Sequence, residues 1–193
     1  MALSFRCGCG TVQGTADVSR ATRVICYCDD CQTFARHLDK AHVLDAYGGL
    51  DVVQVAPPQL RLAAGTSELR CLRLSPKGAH RWYARCCQQP LANTPGPGWP
   101  FIGMIGASLE NVDAVGPPAA KIQGRFSDGS PDAHANLPLG FVAKSLVSLG
   151  TDKLRGRVRP SPFYRGRVPV STLETLTREQ RRAAYPPHLS NPH

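Results

Sequence analysis

The sequence predicts a mainly β protein, α+β overall, in which bound metal supplies part of the folding free energy. Three observations carry this. Glycine and proline are numerous, at 18 and 17 residues, while charged residues make up only 19%. That balance favours short strands joined by many turns over long helices. Several segments alternate or run apolar over strand lengths. Finally, eight cysteines fall in clusters, and ligand bonds can replace part of a conventional core. The 42% of hydrophobic residues still permits an apolar interior.

Taken in order, the strand candidates include Arg23–Tyr27, Leu50–Val55 and Leu69–Leu74. The last of these places Leu69, Cys71 and Arg73 on one face and Arg70, Leu72 and Leu74 on the other. Phe34, Leu38 and Ala41 recur at helical spacing behind Asp29 and Asp30, which predicts a short helix following Cys31. Residues 92–126 are rich in proline and glycine, and Trp99 to Ala107 reads as a strand pair. Leu139, Val142, Ala143, Leu146, Val147 and Leu149 suit an amphipathic helix ending near Gly150 or a little later. A basic stretch, Lys153 to Arg159, follows. Thr177-Arg178-Glu179-Gln180 is a capping box opening one last short helix. The segment from Pro186 to His193 is expected to fray. The chain divides at 126/127, with all cysteines in the first part and a helical, basic extension, packed on or trailing the core, in the second.

The cysteines form three groups: Cys7 and Cys9; Cys26, Cys28 and Cys31; and Cys86 and Cys87. Sulfurs bound to one zinc ion at about 2.3 Å in a tetrahedron lie about 3.8 Å apart, which a turning backbone reaches over two or three residues. Gly8 and Gly10 allow such a turn without steric cost. Cys26, Cys28 and Cys31 can cap one ion from one side and leave its fourth position free, as catalytic zinc requires. Cys7 and Cys9 need partners from elsewhere. On an extended chain Cys86 and Cys87 point to opposite faces, so one ligand from that pair is easier to build than two. Cys71 and His80 are further candidates, although Cys71 also suits a buried small hydrophobe. The other histidines, at 37, 42, 134, 188 and 193, show no ligand spacing and read, with His80, mostly as surface residues.

Disulfides are the rival use of these thiols. The opening Met1-Ala2-Leu3-Ser4-Phe5-Arg6 has no apolar leader, so a cytoplasmic, thiol-reducing setting is expected and favours Zn²⁺. No run approaches the ~20 apolar residues of a membrane helix. The spacing matches neither common iron–sulfur pattern. The formal charge of +9 falls by about three when seven thiolates hold two divalent ions. The remaining basicity suits anionic small molecules, nucleic acid or solubility alike.

The order Cys7-Gly8-Cys9-Gly10, then Cys26-Tyr27-Cys28-Asp29-Asp30-Cys31, then a cysteine before Pro90-Leu91 resembles the glutathione-dependent formaldehyde-activating enzyme family, which includes centromere-protein-V-like members. Gly65, Leu69 and Ser75 also fall where that family has them, and the resemblance covers residues 3–126. It implies a β-tent of small antiparallel sheets stapled by zinc. It implies a structural zinc on Cys7, Cys9 and Cys87, and a second, exchangeable zinc on Cys26, Cys28 and Cys31, the catalytic group. The third motif departs: Ala84 stands at a ligand position for which Cys86 compensates, and Gln88 replaces the turn glycine. Gln32-Thr33-Phe34-Ala35 lacks the family's small Ser-Gly stretch.

The resemblance implies a carbon–sulfur lyase that joins a small thiol such as glutathione to formaldehyde or another small aldehyde. Asp29 and Asp30 then serve as helix caps or proton carriers, and Arg36 and Lys40 as surface charges or carboxylate contacts. The alternative is a noncatalytic zinc module whose tail, Lys153 to Arg159 with Arg178, Arg181 and Arg182, touches nucleic acid, although no nucleic-acid motif accompanies it.

Overall fold

The computed structural model describes residues 1–135 and 139–189, with only the backbone at 141, 142, 144–146 and 148. The fold is mainly β with a few helices. In chain order come β1 (Ala2–Arg6), β2 (Gln13–Asp17), β3 (Thr22–Cys26), α1 (Asp29–His37), β4 (Leu50–Val55), β5 (Leu60–Ala64), β6 (Leu69–Arg73), β7 (His80–Ala84) and β8 (Gln89–Thr94). There follow β9 (Ile102–Ile105), β10 (Ala120–Ile122), α2 (Leu139–Leu154), β11 (Tyr164–Arg165), β12 (Val168–Pro169), β13 (Leu173–Thr175) and α3 (Arg178–Ala183).

Strands β1, β2 and β5 form a small antiparallel sheet. A larger sheet runs β10-β3-β4-β9-β8-β7-β6-β13, antiparallel except where β10 and β13 add in parallel at its two edges. Strand alternation explains the layering. Val53 and Val55 of β4, with Leu69 and Cys71 of β6, face the small sheet and meet its Leu3, Phe5 and Ala16. On the opposite face, Leu50 and Val52 pack with Cys31, while Leu72 and Leu74 pack against Phe34 of α1 and Leu38 at its C-terminal cap. The large sheet is therefore covered on both sides, by the small sheet and by α1.

Several expectations are corrected in detail. The first helix begins at Asp29, so Cys31 lies inside its first turn, while Ala41 is exposed in a separate 3-10 turn. Asp29 and Asp30 favour that early start, because acidic side chains suit a helix N-terminus. Trp99 to Ala107 gives one strand, β9, because its partners are the distant β4 and β8. Helix α2 ends at Leu154, a little after Gly150 as expected, but Leu139, Val147 and Leu154 lie exposed. The side chains of Val142 and Leu146 fall outside the described residues, as do residues 190–193 of the expected frayed end. The capping box at Thr177 forms, with Thr177 and Gln180 bonding reciprocally.

The C-terminal part enters the core directly. Phe163 stacks on Trp82 at 4.6 Å between ring centroids, and Tyr164 meets the same indole edge-on. The Trp82 indole N–H donates to Thr94 Oγ1 at 3.1 Å, Thr94 and the Tyr164 hydroxyl are 2.6 Å apart, and Tyr164 is 2.8 Å from His80 Nδ1. His80 is thus a buried residue, contrary to its surface assignment. This chain of hydrogen bonds takes up polar groups that burial would otherwise leave unpaired. No helix among the described residues is long and apolar enough to cross a membrane.

Candidate metal centres

Two groups of cysteines converge, and all eight cysteines are free thiols. The sulfurs of Cys7, Cys9, Cys86 and Cys87 lie within 4.8 Å of one another, as do those of Cys26, Cys28 and Cys31. Cys71 belongs to neither group; it is buried in β6, where burial pushes its thiol up to about 12.

The first group joins two hairpins. Cys7 and Cys9 sit in the β1–β2 connection, where Gly10 N–H donates to Cys7 O at 2.9 Å. Gly10 holds φ at +77°, the left-handed region that glycine reaches without penalty. The Val12 N–H points at Cys7 Sγ from 3.2 Å, a donor that stabilises a thiolate. Cys86 and Cys87 occupy the turn between β7 and β8, with Gln88 at φ +57°. The chain makes there the tight turn that two ligands from adjacent residues require, so both sulfurs reach the cluster. Cys7 Sγ lies 3.5 Å from Cys9 Sγ and 3.8 Å from Cys86 Sγ, and Cys9 and Cys86 are 3.2 Å apart. These separations approach the ~3.8 Å edge of a sulfur tetrahedron around zinc. Bonds from the Thr11 hydroxyl and backbone lead in pulling the Cys9 thiol down to about 6.

The second group follows β3. Cys26 is the last residue of that strand and Cys28 caps α1, its sulfur accepting from Cys31 N–H at 3.3 Å. Tyr27 between them is fully buried, and its hydroxyl donates to Asp45 at 2.9 Å. The strand end, the cap and the first helical turn thus aim three sulfurs at one point. Hydrogen bonds from Cys26 and Cys28, aided by the charge of Arg81, hold the Cys31 thiol well below its usual range, while Cys28 is raised by the same sharing. Arg81 of β7 is buried, with Nη1 3.9 Å from Cys31 Sγ.

Around the second group, Asp29 and Asp30 are engaged. Arg181 of α3 lies 3.2 Å from Asp30 and 3.7 Å from Asp29, and the Tyr185 hydroxyl donates to Asp29 at 3.4 Å. Arg36 and Lys40 are half-buried on and behind α1. Sequence reasoning missed Arg81; the available signal was a lone arginine within an apolar strand.

Fold and sulfur geometry define a mainly β protein with two thiol groups able to hold metal ions. The chain belongs to the family of unknown function DUF6151, whose family model matches residues 1–174. That match crosses the 126/127 division and ends before α3. Among solved structures, the chain is similar to a Rhodobacter sphaeroides protein determined by structural genomics. That likeness is at 19% identity and a TM-score of 0.41, covering 60% of this chain and 96% of the other. No curated protein matches the sequence.

Proposed function

We propose that the chain is a zinc protein in which Cys7, Cys9, Cys86 and Cys87 hold a structural ion and Cys26, Cys28 and Cys31 hold a reactive one. The observation that carries this reading is the inequality of the donor sets, four sulfurs against three. Four thiolates close a tetrahedron, whereas three leave a position for a substrate. All-sulfur donors at these separations suit zinc over the hard cations that prefer oxygen.

We propose further, from the motif resemblance, that the second group joins a small thiol such as glutathione to formaldehyde or a small aldehyde. Zinc held by three thiolates supplies an open coordination position at which a substrate thiol loses its proton at neutral pH. The substrate sulfur adds to the carbonyl carbon, the C=O π pair moves to oxygen, and that oxygen takes a proton. The chain's part is to hold three sulfurs on a rigid strand end and helix start. Asp29 and Asp30, occupied by Arg81, Arg181 and Tyr185, anchor the helix in this reading and do not carry protons.

Elemental analysis should find two zinc ions per chain, one of them lost in Cys28→Ser. Proton NMR of glutathione with ¹³C-formaldehyde should show adduct formation faster with the wild type than with buffer or Cys28→Ser. Two zinc ions without acceleration would remove the lyase and leave the metal protein. The nucleic-acid alternative keeps Lys153, Arg155, Arg159, Arg178 and Arg182 exposed, but Arg157 and Arg181 are bound to Asp152 and to Asp29 and Asp30. It requires a salt-sensitive gel shift.

A further inference from the structure

We infer that Arg81 is the countercharge that makes the three-cysteine site prefer an anionic fourth ligand, and that Arg181 of α3 keeps Arg81 in that role. The inference rests on Cys26, Cys28 and Cys31 holding a divalent metal.

Three thiolates and one divalent ion leave one net negative charge in a partly desolvated site, and a thiolate arriving as fourth ligand adds another. Arg81 lies against the site with its side chain 5% exposed. Its guanidinium is fixed on several sides. Nη1 reaches Cys31 Sγ at 3.9 Å and Asn93 Oδ1 at 3.2 Å, Nη2 faces Asp30 Oδ2 at 3.5 Å, and Cζ lies 5.5 Å from the centre of the Phe34 ring. The register explains its direction. Arg81 pairs with Leu72 of β6 and Asn93 of β8, so it shares the sheet face that packs on α1, while Trp82 faces the other core. A buried guanidinium keeps its charge at any physiological pH and is weakly hydrated, which suits a permanent countercharge.

Asp30 competes for that charge. Its carboxylate is divided: Oδ2 faces Arg81, and Oδ1 receives Arg181 Nη2 at the shorter distance of 3.2 Å. Arg181 thereby neutralises much of Asp30 and leaves Arg81 to the sulfur. Without Arg181, both carboxylate oxygens would draw Arg81 away from Cys31. Arg181 lies outside residues 1–174, so this support comes from beyond the stretch that defines the family.

The test uses the full chain loaded with Co²⁺, whose sulfur-to-metal absorption reports coordination. Wild type, Arg81→Gln, Arg81→Lys and Arg181→Gln are each titrated with glutathione and, separately, with imidazole, a neutral ligand. Arg81→Gln should weaken glutathione on the order of tenfold while moving imidazole by no more than about twofold, since only the anion meets the lost charge. Arg81→Lys should recover part of the loss. Arg181→Gln, a change at a more accessible site, should act in the same direction by about threefold. Equal weakening of both ligands, or of neither, in Arg81→Gln and Arg181→Gln overturns the inference. A wild-type chain that takes up one ion, kept in Cys28→Ser and lost in Cys86→Ser/Cys87→Ser, overturns the metal reading itself, and the inference with it.

Discussion

The two metal groups should contribute unequally to stability, because they close chain loops of different length. The four-cysteine group ties the β1–β2 hairpin to the β7–β8 turn, with Cys7 and Cys86 separated by 79 positions along the chain. Treated as a cross-link on the unfolded chain, a loop of that length is worth about 4.5 kcal/mol at 25 °C. Cys26 to Cys31 closes a loop of about five residues, worth roughly 2 kcal/mol on the same relation. The difference, about 2.5 kcal/mol, should separate the thermal midpoints by roughly 5–10 °C for a domain of this size. The assay compares Cys86→Ser/Cys87→Ser with Cys26→Ser/Cys28→Ser, both zinc-loaded under reducing conditions, by urea and thermal unfolding followed by circular dichroism. The first double variant should unfold earlier. Equal midpoints, or a wild type that a strong chelator leaves unchanged, would refute the view of the first ion as a long-range staple.

Other outcomes follow from the same structure. Tyr164→Phe should cost about 2–4 kcal/mol in chemical denaturation, since it leaves His80 Nδ1 and Thr94 each short of a partner inside the core. Burial lowers the His80 pKa below 6.5, so its contribution is present above about pH 6.5 and is lost as pH falls through the lower folded value. The stability loss between pH 7.5 and 5.5 should be shallower in His80→Gln than in the wild type at equal metal loading; His37, also lowered by burial, supplies part of the remaining slope. Gly10→Ala should cost about 1–2 kcal/mol by forcing a side chain to φ +77°, and should speed zinc loss from the four-cysteine group in a chelator competition.

Much of the site was legible because ligand spacing is local. Cys26, Cys28 and Cys31 lie within one strand end and one helical turn, so their convergence follows from six residues. The strand faces of β4 and β6 were readable for the same reason, alternation being a property of each strand alone. What failed depended on distant partners. Joining Cys86 and Cys87 on one ion needs a tight turn, and the sequence hid it: Gln88 takes the left-handed region, a conformation that a glycine would have advertised. Arg81 meets Cys31 across 50 residues and His80 meets Tyr164 across 84. No periodicity encodes such pairings; they arise when strands register.

The two parallel strands at the rims of the large sheet carry a consequence for the life of the chain in a crowded solution. Each is brief: β10 covers Val24 to Cys26 and β13 covers Cys71 to Arg73. An uncovered rim is a row of free amide donors and acceptors, open to recruitment by any other extended polypeptide. Proteolytic trimming ahead of β13 would bare the backbone of β6 beside Leu72 and Leu74. The clipped species should then self-associate through strand addition, so the segment from β13 onward guards against aggregation as well as contributing to the fold.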